Sequence, residues 1–431
     1  MAMRHGSKLV VLMITAFVDM VGLLMVLPLL PFYATRLGGA QGRDVSVAGF
    51  EFHLGIGIIV ALLVSAFTVA QLLSAPMWGR FSDRWGRRPA LLVALAASAI
   101  AYVIFGYADS LLVLFLSRLV QGAGGGTVGV VQAYVADVAA PEDRAKSLGW
   151  LSAATNAGVA LGPVLGAAAL VVGERTLHLG AWDLTLGKAA PGVFAAALCL
   201  VNMAFAWRFL VETRVPLTTA EHAAIRRPGA SRDAVLRVIT HSGEPAPRLI
   251  WIYAVAMGAF QGVNAILALY LARRFGVTEK TISFFYTYIG VISVVTRAAV
   301  LGRLVDRLGE ARLSRLGLVL LAAGVAAIPL AFNVPTLALA VALIPLGTAF
   351  TFPCVTALLS RVIPSHERGL YMGVQQAFGG VARVMFPMLF GFMFDHAGMG
   401  VPFWTSAACV LSLLLLGAGL EGYARPKVSP G

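Results

Sequence analysis

Charged residues are scarce in this sequence. Only 12% of the 431 residues are Asp, Glu, Lys or Arg, whereas about a quarter of an average soluble domain is charged. Hydrophobic residues make up 59% of the chain, and so few polar groups remain that they could not cover its surface in water. The scarcity of charge therefore excludes an ordinary soluble globular protein and indicates that lipid surrounds most of the chain.

Cysteine is rare, and the common enzyme motifs are absent. The three cysteines, Cys199, Cys354 and Cys409, all fall in apolar runs, which argues against a disulfide framework and against a cysteine-rich metal site. The sequence contains no phosphate-binding loop, no zinc-ligand spacing and no nucleophile elbow, so an enzyme is the least favoured class. We expect neither a metal nor a cofactor.

Lysine is rare as well, with five residues against 28 arginines and 20 acidic residues, and the formal net charge is +13. In a soluble chain this charge would suggest a nucleic-acid partner. If the N-terminus is cytoplasmic, however, 23 of the 33 basic residues fall in cytoplasmic segments, as the positive-inside rule requires. We therefore expect no nucleic acid, and a multi-pass protein of a bacterial inner membrane with both termini in the cytoplasm.

Twelve windows of the sequence are apolar and long enough to cross a bilayer, which takes roughly 20 helical residues. They lie at residues 9–34, 54–77, 89–108, 111–136, 147–172, 190–211, 249–272, 281–303, 313–332, 335–360, 370–393 and 401–421. The stretch 212–248 is rich in arginine and poor in apolar residues, which predicts a cytoplasmic linker with at most a short surface helix. The predicted fold is an all-α membrane protein with six-helix bundles at 1–211 and 249–431, and polar outer loops follow the first and fifth spans.

The two halves of the sequence resemble each other. Gly79, Asp83, Arg84 and Gly86 recur 223 residues later as Gly302, Asp306, Arg307 and Gly309, and Arg144, Gly149 and Pro163 recur 224 residues later as Arg368, Gly373 and Pro387. Two separate groups at nearly the same offset indicate the duplication of a six-helix unit. Parallel repeats of this kind place a substrate cavity between the halves, near the bilayer midplane.

The segment Gly79-Arg-Phe-Ser-Asp-Arg-Trp-Gly-Arg-Arg-Pro89 lies in the predicted turn between the second and third spans. Gly79 and Gly86 allow close backbone approach and a tight turn, and Pro89 suits the first turn of the next helix. This segment resembles the signature loop of the major facilitator superfamily, a family of twelve-helix transporters that work by alternating access.

The resemblance implies a conformational latch on the cytoplasmic side. Its predicted members are Gly79, Asp83, Arg84, Arg87 and Arg88 with Asp137, and in the second half Asp306 and Arg307. The second copy lacks the pair of adjacent arginines, so we expect a weaker latch there. The alternative is that the arginines only set the topology.

Two further motifs extend the resemblance. Gly149, Gly158, Gly162, Pro163 and Gly166 have the spacing typical of the antiporter branch of the superfamily; small residues let a neighbouring backbone approach closely, and a proline bends a helix. A generic packing face is the alternative for this set.

In the fourth span, the segment from Arg118 to Gly126 resembles the Arg-x-x-Gln-Gly motif of the family. The resemblance implies that Arg118 helps to govern a proton site.

One acidic residue, Asp19, lies deep in the first span, about ten residues or ~15 Å from its cytoplasmic end. A carboxylate at that depth costs at least ~2.5 kcal/mol, and desolvation favours its protonated form. Asp19 is therefore the predicted proton carrier; a hydrogen bond that only holds the helix is the alternative. The spacing of Asp19, Gly22, Pro28 and Pro31 is similar to that of the tetracycline-efflux branch of drug:proton antiporters, in which the corresponding acid is functionally important.

The candidate substrate-binding residues are uncharged amides, phenols and one arginine at mid-helix positions. They are Gln71, Gln132, Asn156, Gln261, Asn264, Tyr286, Tyr288, Gln375 and Arg383. Gln376 points about 100° away from Gln375 on a helix, so at most one of the two faces the cavity. Arg297 lies near a helix end and can snorkel. Helix-to-helix hydrogen bonds are the alternative role for any of the polar residues.

The deep charges predict the substrate class. Asp19 stands against Arg118, Arg383 and Arg297, so the cavity is expected to be net positive when Asp19 is protonated, and to prefer neutral, zwitterionic or anionic amphipathic molecules over a permanent dication. We expect a monomeric, proton-driven exporter of such molecules that works by a rocker-switch cycle. A glycolipid or lysolipid flippase and a membrane receptor that binds without transport are the alternatives.

Overall fold

Helices dominate the computed structural model, which describes residues 5–47, 50–125, 128–139, 143–175, 177–179, 182–184, 186–213, 230–364 and 367–420. The helices are α1 (His5–Val26), α2 (Leu30–Gly38), α3 (Ile56–Trp85), α4 (Arg87–Gly106), α5 (Leu111–Gly124), α6 (Val128–Val138), α7 (Arg144–Gly173), α8 (Ala190–Phe209), α9 (Ala230–Thr240), α10 (Pro245–Phe275), α11 (Ile282–Val295), α12 (Leu301–Leu308), α13 (Glu310–Ala327), α14 (Val334–Val362), α15 (Arg368–His396) and α16 (Val401–Leu416). Gly126 of the fourth-span motif and residues 214–229 of the predicted linker lie outside the described residues.

A helix lies at each of the twelve predicted spans, so the all-α membrane fold is confirmed. Ten continuous helical segments among the described residues are long and apolar enough to cross a bilayer. Val401–Leu416 is apolar but shorter, and α13 coincides with the ninth predicted span and begins with charged residues at Glu310 and Arg312. Hydropathy located the helices because lipid selects continuous apolar runs.

The polar outer loops of the sequence analysis contain β-hairpins that hydropathy did not predict. The first has strands β1 (Gly42–Val47) and β2 (Phe50–Gly55), paired antiparallel from Gly42 with Gly55. The second has β3 (Leu177–Leu179) and β4 (Trp182–Leu184). Strands β3 and β4, with three residues each, are too short to show a two-residue hydropathy period.

The turn after α3 is shorter than predicted. The helix continues to Trp85 instead of ending near residue 77, so most of the signature segment is helical and Gly86 alone forms the turn into α4. Gly86 has a φ of 106°, and its counterpart Gly309, between α12 and α13, has a φ of 76°. Both values lie in the region that favours glycine, so the duplicated glycines make the same kind of turn in each half.

The contacts divide the chain into two compact units. The N-terminal unit comprises Met1–Val215 and Leu267–Val294, and the C-terminal unit comprises Pro216–Ile266 and Val295–Gly431. In the N-terminal unit α1 packs on α7 and α8, α4 packs on α8 and α5, and α3 packs on α5. This arrangement brings the first span, which carries Asp19, against α7 and α8 of the same unit.

In the C-terminal unit α13 packs between α14 and α16, and the surface helix α9 packs on α15. Helix α9 lies within the predicted linker and buries Ala234 and Val238, while Trp251 donates a hydrogen bond to the Val238 carbonyl at 3.1 Å. The eighth span is interrupted by a π-helical turn at Thr296–Val300, a local widening that apolar periodicity does not reveal. The domain boundaries at 211 and 249 stay a prediction.

Candidate functional site

A cavity of about 350 Å³ lies within the N-terminal unit. Its walls come from α1 and from α3 to α7, and most of the lining side chains are aliphatic. The polar lining residues are Thr15, Asp19, Gln71, Ser98, Tyr102, Gln121, Gln132, Ser152 and Thr155. An apolar chamber with a few convergent polar groups is the usual form of a small-molecule site.

Asp19 lines this cavity from α1. It is the one Asp, Glu, Lys, Arg or His among the described lining residues. The first turn of the 31-residue apolar segment Lys8–Gly38 begins eleven residues before it, or about 16 Å at helical rise. The structure thus places the Asp19 carboxyl on the wall of this cavity.

Two of the predicted substrate-binding residues join Asp19 on the cavity. Gln71 reaches it from α3 and donates a hydrogen bond to the Gly125 carbonyl at 2.9 Å, and Gln132 reaches it from α6. Asn156 does not line the cavity; its amide donates to the carbonyl of Ser152, one turn earlier in α7, at 2.6 Å. Ser152 takes its place on the wall, a residue that sequence reasoning missed because hydroxyls are common on any helix face.

Arg118 lies beside the cavity and does not line it. The side chain is 1% exposed, and its guanidinium carbon lies 5.3 Å from the centre of the Phe105 ring. Within the described part of the chain, none of its three guanidinium nitrogens has a hydrogen-bond partner. A buried cation without a paired acid is costly. Because the protein interior around Arg118 screens charge weakly, its positive charge acts on the neighbouring groups.

The remaining predicted substrate residues lie elsewhere. Tyr286 is buried and Tyr288 exposed on α11, in the N-terminal unit but off the cavity. Gln261, Asn264, Arg297, Gln375 and Arg383 belong to the C-terminal unit. Gln375 is fully buried and accepts a hydrogen bond from Thr356 at 3.4 Å, whereas its neighbour Gln376 is exposed and donates to the Tyr253 hydroxyl at 3.3 Å.

Arg383 is partly exposed on α15. Its Nε is buried with no hydrogen-bond partner among the described residues. Because Arg383 belongs to the C-terminal unit and Arg118 to the N-terminal unit, a cavity made positive by both arginines stays a prediction.

Three glycines of the predicted antiporter motif hold α7 against α1. An added Cβ would lie 2.5 Å from the Phe17 carbonyl at Gly158, 2.6 Å from the Leu24 side chain at Gly162, and 2.5 Å from the Met25 carbonyl at Gly166. Pro163 lies inside the same helix. At Gly149 a Cβ would meet no described atom within 4 Å. The motif thus packs together the two helices that contribute Asp19 and Ser152 to the cavity lining.

Arg87 is the centre of the predicted latch. It donates hydrogen bonds to Asp83 at 2.7 Å, to Asp137 at 3.1 Å and to the Ser82 hydroxyl at 2.8 Å. Asp83 lies at the end of α3 and Asp137 at the end of α6, so one guanidinium ties three helices together. The side chains of Arg87 and Asp137 are only 16% and 20% exposed, which shields this pair from solvent more than a surface ion pair.

The other predicted latch residues of this half have separate roles. Arg88 donates to the Trp207 carbonyl, whereas Arg84 is exposed and lies 5.8 Å from the Trp85 ring. Gly79 lies inside α3, and a Cβ there would meet no described atom within 4 Å. The close backbone approach expected at Gly79 is therefore not found; the glycine that the turn needs is Gly86.

Glu212, just after α8, is a latch partner that the sequence analysis missed. Its carboxylate accepts the backbone N–H groups of Arg87 at 2.9 Å and Arg88 at 3.1 Å. Backbone N–H groups at a helix start lack partners within the helix, and a carboxylate there also suits the helix dipole. Glu212 therefore caps α4 at the point where Arg87 binds the two aspartates.

The second half contains the same ion pair with its charges exchanged. Asp306 and Arg307 are exposed, whereas Arg361 at the end of α14 donates two hydrogen bonds to Glu310 at the start of α13, one of them at 3.1 Å. Glu310 is 223 residues after Arg87, and Arg361 is 224 residues after Asp137. The repeat offset itself points to this pair, but a search for identical residues overlooks it because the signs are reversed.

The sequence as a whole was compared with known families and proteins. A model described as Major Facilitator Superfamily matches residues 12–300 and 249–430. The chain belongs to the major facilitator superfamily. Superfamily membership makes it a multi-pass membrane transporter and not an enzyme.

Curated relatives within the superfamily are named as resistance proteins. The class B tetracycline resistance protein of Escherichia coli is 26% identical over 417 residues, which cover 95% of this chain and 93% of that protein. Multidrug resistance protein 2 of Bacillus subtilis (strain 168) is 26% identical over 395 residues, 90% of this chain and 88% of that protein. The resemblance to the tetracycline-efflux branch of drug:proton antiporters is thereby confirmed.

Among solved structures, the human organic anion transporter MFSD10 has a TM-score of 0.68 and 23% identity, and the match covers 96% of this chain and 100% of that one. A D-xylose-proton symporter has a TM-score of 0.74 and 17% identity, with 96% and 97% covered. These likenesses concern the superfamily fold.

Proposed function

We propose that this transporter exports amphipathic small molecules in exchange for protons, and that Asp19 carries the proton. The observation that carries the proposal is the position of Asp19, which is the one Asp, Glu, Lys, Arg or His among the described residues that line the cavity. The names of the curated relatives, which are tetracycline and multidrug resistance proteins, support the direction and the substrate class.

The cycle follows from the electrostatics of one carboxyl in a space of low polarity. Asp19 releases its proton toward the cytoplasm as the substrate binds, and a proton from outside displaces the substrate after the rocker-switch transition. Each proton that enters supplies ~2.3 kcal/mol per 100 mV of membrane potential, in addition to the pH gradient. The proposed setting is a bacterial inner membrane with both termini cytoplasmic, a monomer, and no cofactor.

Arg118 supports the choice of substrate charge. Its buried guanidinium has no hydrogen-bond partner in the described residues, so the region is near neutral while Asp19 is ionised and net positive once Asp19 is protonated. Neutral, zwitterionic and anionic molecules are compatible with both protonation states of Asp19, whereas a permanent dication is repelled when Asp19 is protonated. The structural relative MFSD10 is described as an organic anion transporter, so the flux test needs an anionic probe.

The test uses the purified chain in liposomes that contain a pH-sensitive dye. Chloramphenicol, norfloxacin, fluorescein and methyl viologen serve as neutral, zwitterionic, anionic and dicationic probes. We expect proton flux that depends on at least one of the first three probes, is lost in Asp19→Asn, and persists in Asp109→Asn, which removes an exposed carboxylate. Coupled flux in Asp19→Asn would refute the assignment of the proton carrier.

The alternatives give different results in the same vesicles. A flippase would move a fluorescent lysolipid between the leaflets with no probe present, and a receptor would bind a probe without any flux. Flux with methyl viologen alone would overturn the proposed substrate charge.

A further inference from the structure

Tyr102 of α4 lies where the cavity meets helix α1. The side chain is 1% exposed and lines the cavity. On the opposite helix, an added Cβ at Gly22 would lie 3.4 Å from the Tyr102 hydroxyl oxygen. Gly22 is three residues after Asp19, so the two share a face of α1. The absence of a side chain at Gly22 therefore lets the phenol lie against α1 beside Asp19.

The phenol also lies near groups on the neighbouring helices. Tyr102 interacts electrostatically with Asp19, Arg118 and Cys199, and Gln121 of α5 lines the same cavity. Arg118 lies over the ring of Phe105, three residues after Tyr102 on α4, and Gln121 is three residues after Arg118 on α5. One face of α4 thus meets one face of α5, and Tyr102 occupies the end nearer to Asp19.

This cluster is incompletely hydrogen-bonded. In the part of the chain that the structure covers, the three guanidinium nitrogens of Arg118 and the amide oxygen of Gln121 are buried without partners. Unsatisfied buried polar groups are expensive and call for an explanation. A polar network that can exchange partners when one member gains or loses a charge provides one.

We propose that Tyr102 is a positioning residue for the proton site. Its hydroxyl donates a hydrogen bond to the carboxylate when Asp19 is ionised, and so offsets part of the cost of burying that charge. Without this donor, burial would hold Asp19 protonated and keep it from releasing its proton. The inference rests on the proposed function, since it assigns to Tyr102 the task of keeping Asp19 able to titrate.

The other groups around Asp19 do not offer this role. Cys199 on α8 interacts electrostatically with Asp19, but a thiol is a weak hydrogen-bond donor. Helix α7 brings Gly158 against Phe17 and Met20, and glycine carries no ionisable group. Arg118 is buried and does not line the cavity. Tyr102 is therefore the polar neighbour to change.

The test reads the protonation of Asp19 without any transported substrate. Dicyclohexylcarbodiimide, which reacts with protonated carboxyl groups, is added to the purified full-length protein in detergent between pH 5 and 9, and mass spectrometry measures the labelled fraction of Asp19. In Tyr102→Phe we expect the midpoint of labelling to move to higher pH by about 0.5 to 1 unit, the effect of one lost hydrogen bond to the carboxylate.

The matched control is Tyr134→Phe. It also removes a buried phenol oxygen from the N-terminal unit, one that donates to the Val211 carbonyl at 2.9 Å, so a general loss of stability affects both variants. Gly22→Val is the second test variant, because its larger side chain would displace the phenol from α1. We expect its midpoint to move in the same direction as that of Tyr102→Phe.

Three results would overturn the inference: equal midpoints in the wild-type protein and Tyr102→Phe, an equal shift in Tyr134→Phe, or no titration of Asp19 in this range. The proposed function is judged separately by the flux assay. If coupled flux is present and is lost in Asp19→Asn while Tyr102→Phe leaves the labelling midpoint unchanged, the function stands and the role of Tyr102 is wrong.

Discussion

The charge-reversed pair of the second half gives a prediction whose size can be worked from the structure. Glu310 is 5% exposed and Arg361 is 29% exposed at the side chain, so the pair lies between the surface and buried classes. Removing one partner of a fully buried pair costs about 3–5 kcal/mol, and an exposed pair contributes about 0–1 kcal/mol. Because Glu310 also begins α13, where the helix dipole stabilises a carboxylate, we expect Arg361→Asp to cost about 2 kcal/mol.

The double variant is the decisive comparison. Arg361→Asp alone places two carboxylates together, and Glu310→Arg alone places two guanidinium groups together. Combined, they reproduce the arrangement of Arg87 and Asp137 in the first half, so most of the lost stability should return. Unfolding is followed by tryptophan fluorescence in detergent, with Arg307→Asp as the control for an exposed arginine in the same region. If the double variant is no more stable than either single variant, Glu310 and Arg361 do not form a pair whose charges can be exchanged.

Two further predictions concern the cap of α4 and the glycine face of α7. Glu212→Gln leaves the helix start with a weaker acceptor, so we expect a loss of about 1 kcal/mol in unfolding free energy, measured by the same fluorescence assay; an unchanged value would mean that the cap contributes nothing. Gly162→Val forces α7 away from Leu24 and should destabilise the protein by about 1–3 kcal/mol, whereas Gly149→Ala, at an open position, should be neutral or slightly stabilising. Equal effects at the two glycines would contradict the packing account.

The sequence was sufficient to predict the helices and the position of Asp19 within the first of them. Both depend on local properties: a helix in lipid needs a continuous apolar run, and a residue's depth follows from its distance along the helix. The repeat offset also located the turns at Gly86 and Gly309, since both positions need a φ that favours glycine.

The sequence was not sufficient to predict which polar side chains meet. Gln71 and Gln132 lie on the cavity, but Asn156 bonds within its own helix and Gln375 is fully buried against Thr356. A helix position fixes the direction of a side chain relative to its own axis, whereas the neighbour it meets depends on how the helices pack. Tyr102 was missed for the same reason, because nothing in the sequence around it marks a phenol that lies against α1 near Asp19.

The most direct test of the account separates substrate binding from proton coupling in one set of vesicles. Counterflow of a labelled substrate, which needs binding and alternating access but no net proton movement, is measured beside accumulation driven by an imposed pH gradient. We predict that Asp19→Asn keeps counterflow and loses gradient-driven accumulation. If Asp19→Asn accumulates substrate against its gradient as the wild-type protein does, the proton is carried elsewhere and the central claim is wrong.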